Sequence, residues 1–80
     1  MPTIKGFENK GGFRFFFTSH DQREEPHVHA EGSTGIMKVS LKDLTVKYSR
    51  GLKYSEERVI VEIVEESKEL FLKAWKEFFK

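Results

Sequence analysis

Apolar positions along the chain follow two different rhythms. As far as about Tyr48 they alternate with polar ones in short runs separated by glycine and polar residues, and beyond Ser55 they recur every three or four residues. The first rhythm predicts strands and the second an amphipathic helix. Thr3 to Phe7 predicts a short first strand, ended by Asn9-Lys10-Gly11-Gly12, a turn signal because glycine reaches positive φ at little steric cost. Phe13 to Thr18 predicts a second strand with Phe13, Phe15 and Phe17 on one face and Arg14 and Phe16 on the other, and the pair reads as a hairpin closed near Gly11-Gly12. Phe16 leaves the second face only half polar, so part of that face should be covered. After the polar stretch Ser19 to Pro26 comes a third strand, His27 to Glu31. The turn Gly32-Ser33-Thr34-Gly35 leads to a fourth, Ile36 to Leu41, with Met37, Val39 and Leu41 inward. Lys42-Asp43 predicts a bend, Leu44 to Tyr48 a fifth short strand with Leu44, Val46 and Tyr48 on its apolar side, and Arg50 to Tyr54 the link to the helix.

For the helix, Ser55 is the expected N-cap, with Glu56 and Glu57 in the first turn, where carboxylates favour the positive end of the dipole. Neither Gly nor Pro interrupts the chain from there to Phe79, and Ile60, Ile63, Val64, Phe71, Ala74, Trp75 and Phe78 form one stripe. A helix of about 24 residues would be roughly 36 Å long, well beyond a strand of five or six residues at about 17 to 20 Å. It must overhang or break, and Ser67, inside the stripe, is the expected break point. The fold class that follows is α+β: an antiparallel sheet of four to five strands followed by a long C-terminal helix packed on one face, residues 1–80 forming a single domain. An overhanging end would present Trp75, Phe78 and Phe79 as an aromatic interface patch. The same rings could instead close the open end of the sheet.

Composition narrows the class. Eighty residues give a small core, and eight Phe, two Tyr and one Trp are how such a chain concentrates its buried area. The absence of cysteine excludes disulfides and thiolate metal sites. With no apolar run near the roughly 20 residues needed to cross a bilayer, the expectation is a cytoplasmic protein without a membrane partner. The net charge of +1 conceals an asymmetry, since residues 1–54 sum to +3 and 55–80 to −2. Lys38, Lys42, Lys47, Arg50 and Lys53 face a single acid, Asp43, between positions 38 and 53. Lys38, Lys47 and Arg50, with Trp75 and Phe78, are therefore the candidate binding residues, for an acidic protein or for nucleic acid. An ordinary solvated face is the plain alternative.

The candidate chemistry lies in Glu25-Pro26-His27-Val28-His29-Ala30-Glu31. A strand there places His27, His29 and Glu31 on one side. Two imidazoles on one face are a start for a metal site, with His20, Asp21 or Glu31 as third ligand and a divalent metal such as zinc as the cofactor. The same pair could work as general acid and base on a phosphodiester, with Arg14 or Lys38 steadying the phosphate. It could equally be structural, bonded to carboxylates and holding strand register. Lys10-Gly11-Gly12-Phe13-Arg14-Phe15-Phe16-Phe17 has the flavour of an RNA-stacking motif, but its spacing differs and the βαββαβ chain is missing, so these rings read as core.

The opening Met1-Pro2-Thr3-Ile4, the strand Gly12-Phe13-Arg14-Phe15-Phe16-Phe17, the segment Glu25-Pro26-His27-Val28-His29 and the ending Phe71-Leu72-Lys73-Ala74-Trp75-Lys76-Glu77-Phe78-Phe79 together resemble the small prokaryotic family called domain of unknown function 4160. Glu25 stands where a second proline is common in that family. The resemblance implies a stand-alone small protein, often encoded beside another small protein, an arrangement suggestive of a toxin-antitoxin-like pair. Two function classes follow: a module that binds a small partner protein encoded by an adjacent gene, and a small nuclease-like toxin that uses His27 and His29 for acid-base or metal-assisted cleavage.

Overall fold

The structure is a computed structural model that describes residues 4–18 and 25–79. Four strands, β1 (Arg14–Phe16), β2 (His27–Glu31), β3 (Ile36–Ser40) and β4 (Val46–Arg50), precede two helices, α1 (Tyr54–Glu66) and α2 (Lys68–Phe78). The strands form one antiparallel sheet in the order β1-β2-β3-β4. The fold class is α+β, as the two rhythms predict.

The register sorts the side chains. Phe15, Ala30 and Met37 lie in one cross-strand row and Val28 and Val39 in another. These five, with Leu41, are fully buried under Ile60, Ile63 and Val64 of α1 and Phe71 and Trp75 of α2. Phe71 is the centre of this layer, 4.6 Å from the Phe7 ring and 5.5 Å from the Phe15 ring by centroids. The opposite face carries Arg14, Phe16, His27, His29, Glu31, Ile36, Lys38, Ser40, Tyr48 and Arg50. The helices therefore cover the sheet face that does not bear the histidines.

The expected first strand does not form over the described part of Thr3 to Phe7. Gly6 takes a φ of +89° and the chain turns back on itself, Phe7 N–H donating to the Ile4 carbonyl at 2.9 Å. The segment still lines β1, because Ile4 N–H donates to Phe15 O and Phe15 N–H donates to Phe7 O. The hairpin closes where expected: Lys10 and Phe13 form a bridge around Gly11 and Gly12, at φ of +64° and +89°. Positive φ at both central residues is the turn geometry whose twist suits a hairpin.

β4 departs from the prediction in position and in facing. Leu44 stays outside it, at a φ of +63°, in a turn where its N–H donates to Ser40 O and the Thr45 N–H donates to Asp43 Oδ1. Tyr48 pairs with Lys38 whereas Val46 pairs with Val39, so β4 spends one extra residue there, a bulge. Leu44, Val46 and Tyr48 consequently do not share an apolar side. Val46 lies toward the helices and Tyr48 on the other face, and Ser49 reaches the helix layer to donate to Glu57 Oε2.

The helix breaks at Ser67, as predicted; its φ of −108° and ψ of 15° depart from helical values while the backbone bonds Ser67 N–H to Ile63 O and Phe71 N–H to Ser67 O persist. The molecule measures 34 Å in its longest dimension. Lys53 rather than Ser55 occupies the N-cap, because Glu56 reaches back to accept the Lys53 backbone N–H at 2.9 Å and so draws the helix start toward Tyr54. At the other end Trp75 is buried against Phe17, His27 and Phe79. The rings close the end of the sheet, and only Phe78 stays substantially exposed.

Candidate functional site

Proline at position 26 biases Glu25 to extended geometry and feeds the chain into β2, where strand alternation puts both histidines on the face away from the helices. Their rings meet edge to face at 5.1 Å between centroids. Phe16, directly across from His29 on β1, stacks on it at 5.2 Å and 16°, and the Arg14 guanidinium lies 4.5 Å above the Phe16 ring. Trp75 lies 5.3 Å from His27 at the far end. The result is a file of aromatic and cationic groups, Arg14, Phe16, His29, His27 and Trp75.

The three residues expected to act catalytically, His27, His29 and Arg14, are thus brought onto one face, but Phe16 separates Arg14 from the imidazoles. Arg14 also forms an ion pair with Glu31 at 3.0 Å. His27 and His29 are only 2% and 7% exposed. His27 Nδ1–H donates to the Glu25 carbonyl at 2.9 Å, which in the neutral ring leaves Nε2 as the basic nitrogen. That Nε2 and the Nδ1 of His29 are both buried. Ser40, across from His27 on β3, is buried as well, its hydroxyl accepting the Lys42 N–H.

No group of three His, Cys, Asp or Glu side chains able to hold a metal comes together among the described residues. Of the three possible third ligands, His20 and Asp21 lie outside the described residues, and Glu31 pairs with Arg14.

The candidate binding residues fall in two places. Lys38 lies across from His29 on one side and Tyr48 on the other, and Lys47 and Arg50 are exposed on β4. Trp75 and Phe78 belong to the α2 end, beside Phe17, so they do not join the basic set. Sequence reasoning missed the surroundings of β4. On the helix side an open groove of about 340 Å³ is lined by Val46, Tyr54, Glu57, Arg58, Val61 and Glu62. On the other side a slot of about 360 Å³ is lined by Ile36, Tyr48 and Arg50. The exposed Val46 at 45% and Tyr48 at 40% face these two depressions. The bulge that sends them to opposite faces leaves no trace in the apolar pattern.

Asp43, in the turn before β4, has its carboxyl lowered from an ordinary 3.8 to about 2 by the hydroxyl and then the backbone N–H of Thr45, both donating to it. The carboxylate caps the turn that precedes β4.

What these features define is a small α+β fold with one aromatic-histidine face and, among the described residues, one unpaired sheet edge that carries Lys47 and Arg50. Residues 12–76 match the family described as Domain of unknown function (DUF4160), and the chain belongs to that family. No match was found among curated proteins or among solved structures. Among the described residues no helix is long and apolar enough to cross a membrane.

Proposed function

We propose that this protein is an interaction module that docks a small partner protein on the β4 edge of its sheet, as one half of a toxin-antitoxin-like pair in the cytoplasm. The observation that carries this reading is the unequal treatment of the two sheet edges. The outer side of β1 is lined by the bonds from Ile4 and Phe7. Among the described residues nothing pairs with the outer side of β4, none of its five residues is buried, and depressions lie on both of its faces. An open edge with side-chain pockets on either face is what strand addition requires: main-chain bonds supply affinity and alternate side chains supply selectivity.

The burial of the histidines counts against the nuclease alternative. A general base must come within about 2.6 to 3.2 Å of the proton it takes, and the basic nitrogen of His27 is out of solvent reach. A cysteine-free chain suits a reducing cytoplasm.

The test uses the product of the adjacent gene, purified and titrated against this protein by calorimetry. A complex is expected, and Val46→Asp combined with Tyr48→Ala should weaken it about tenfold or more, at about 1 kcal/mol or more per anchor lost. Leu70→Ser, on the exposed surface of α2 and outside both depressions at β4, should leave it unchanged. A complex indifferent to the β4 changes would overturn the reading. So would growth arrest on expression of this protein alone that replacement of both histidines relieves in a still-folded chain.

A further inference from the structure

Resting on the reading of β4 as the docking edge, we infer the chemistry of what docks: an extended segment in which acidic and apolar residues alternate, added to β4 as a fifth strand. A strand laid along β4 sends successive side chains to opposite faces of the sheet. On the face away from the helices it meets the slot of Ile36, Tyr48 and Arg50. Arg50 is exposed and joins no ion pair among the described residues. Lys47 is exposed at the bulge, within electrostatic reach of Asp43 in the preceding turn, and β4 itself carries no carboxylate. The side chains a fifth strand presents to this face are therefore complemented by negative charge. On the helix face the same strand meets the groove of Val46, Tyr54 and Val61, whose lining surface is mostly apolar although Glu57, Arg58 and Glu62 also border it. Alternate residues pointing there are complemented by aliphatic side chains.

The charge pattern also selects among occupants. A second copy of this chain would bring Lys47 and Arg50 of one edge against the same residues of another, and lysine on an edge strand opposes that pairing. Nucleic acid would satisfy the cations but not the strand's outward amide and carbonyl groups, nor the apolar groove. An acidic-apolar strand satisfies all three.

The direct test is binding of a short capped synthetic peptide, Glu-Val-Glu-Val-Glu-Val-Glu, to the full chain, followed by calorimetry and by amide chemical-shift changes. Binding is expected to shift β4 amides. It should weaken about tenfold when every Glu is replaced by Lys, and about fivefold in Arg50→Glu, since each cross-strand charge pair contributes modestly. N-methylation of alternate peptide amides should abolish it, because the main-chain donors are lost. Equal binding of the Lys-Val peptide, or binding that survives N-methylation, would overturn the inference, as would self-association through β4 or preference for an RNA oligomer at the same amides. If the acidic peptide fails while the adjacent-gene product still shifts β4 amides, the partner chemistry proposed here is wrong and the docking edge stands. If that product binds and leaves β4 amides unmoved, both fall together.

Discussion

Asp43 caps the turn that precedes β4 with its side chain. Its carboxylate accepts from both the hydroxyl and the backbone N–H of Thr45, and the folded carboxyl sits at about 2 rather than 3.8. A carboxyl with a lowered folded pKa adds stability above its unfolded value and loses it as pH falls through the folded one. The stability difference between the native chain and Asp43→Asn should therefore be constant from neutral pH to about 4 and shrink between about 4 and 2, measured by urea unfolding across that range. A difference that persists unchanged at pH 2 would show that Thr45 does not bind the ionised form. At this scale the sequence was legible where a rule of alternation applied. It put His27, His29 and Glu31 on one side of their strand, where they are found, while the pairing of β1 with β2, which adds Arg14 to that face, came only with the register. It could not show that the histidines are buried, because burial depends on groups distant in the chain, and Phe16 and Trp75 are among the rings that contact them.

Among the elements, β2 and β4 are opposites: β2 is central, with four of its five residues buried, and β4 is marginal, with none. Amides of β2 should exchange slowest in the free protein and those of β4 among the fastest of the sheet, as read by hydrogen exchange. The approach of β4 to the rest of the sheet depends on two glycines. A Cβ on Gly35 would collide with the Arg50 carbonyl oxygen and one on Gly51, at φ +74°, with that of Thr34. Gly35→Ala is expected to destabilise by about 1 to 3 kcal/mol and to speed exchange at Arg50 before it does so in β2; an unchanged midpoint of unfolding would contradict this contact. The Ser67 break was legible because helix length exceeds strand length whatever the packing. The bulge was not, since one inserted residue changes facing without changing composition, and it misplaced Tyr48. The first strand failed for a related reason: Thr3 to Phe7 alternates, but Gly6 at positive φ turns the chain.

For the whole molecule, one aromatic layer carries the fold. Phe71 lies between Phe7 and Phe15 and is fully buried, so Phe71→Ala should cost about 3 to 5 kcal/mol. For a small domain whose total stability is on the order of 5 to 15 kcal/mol, that is a fall in midpoint large enough to see by Trp75 fluorescence on heating, and a shift of only a degree or two would refute the account of the core. The charge asymmetry has a matching geometry. The basic excess of the first 54 residues includes the exposed Lys47 and Arg50 of the open edge, while α1 lines the adjoining groove with Glu57 and Glu62. The β4 edge was least legible at this scale, because which strand lies at an edge is a property of strand order, which composition and periodicity do not reveal. The most direct measurement is hydrogen exchange on the protein alone and saturated with the adjacent-gene product. Slowing concentrated in the β4 amides, with β1 unchanged, is the result expected of docking at this edge; slowing confined to the α2 end or to the histidine face would contradict it.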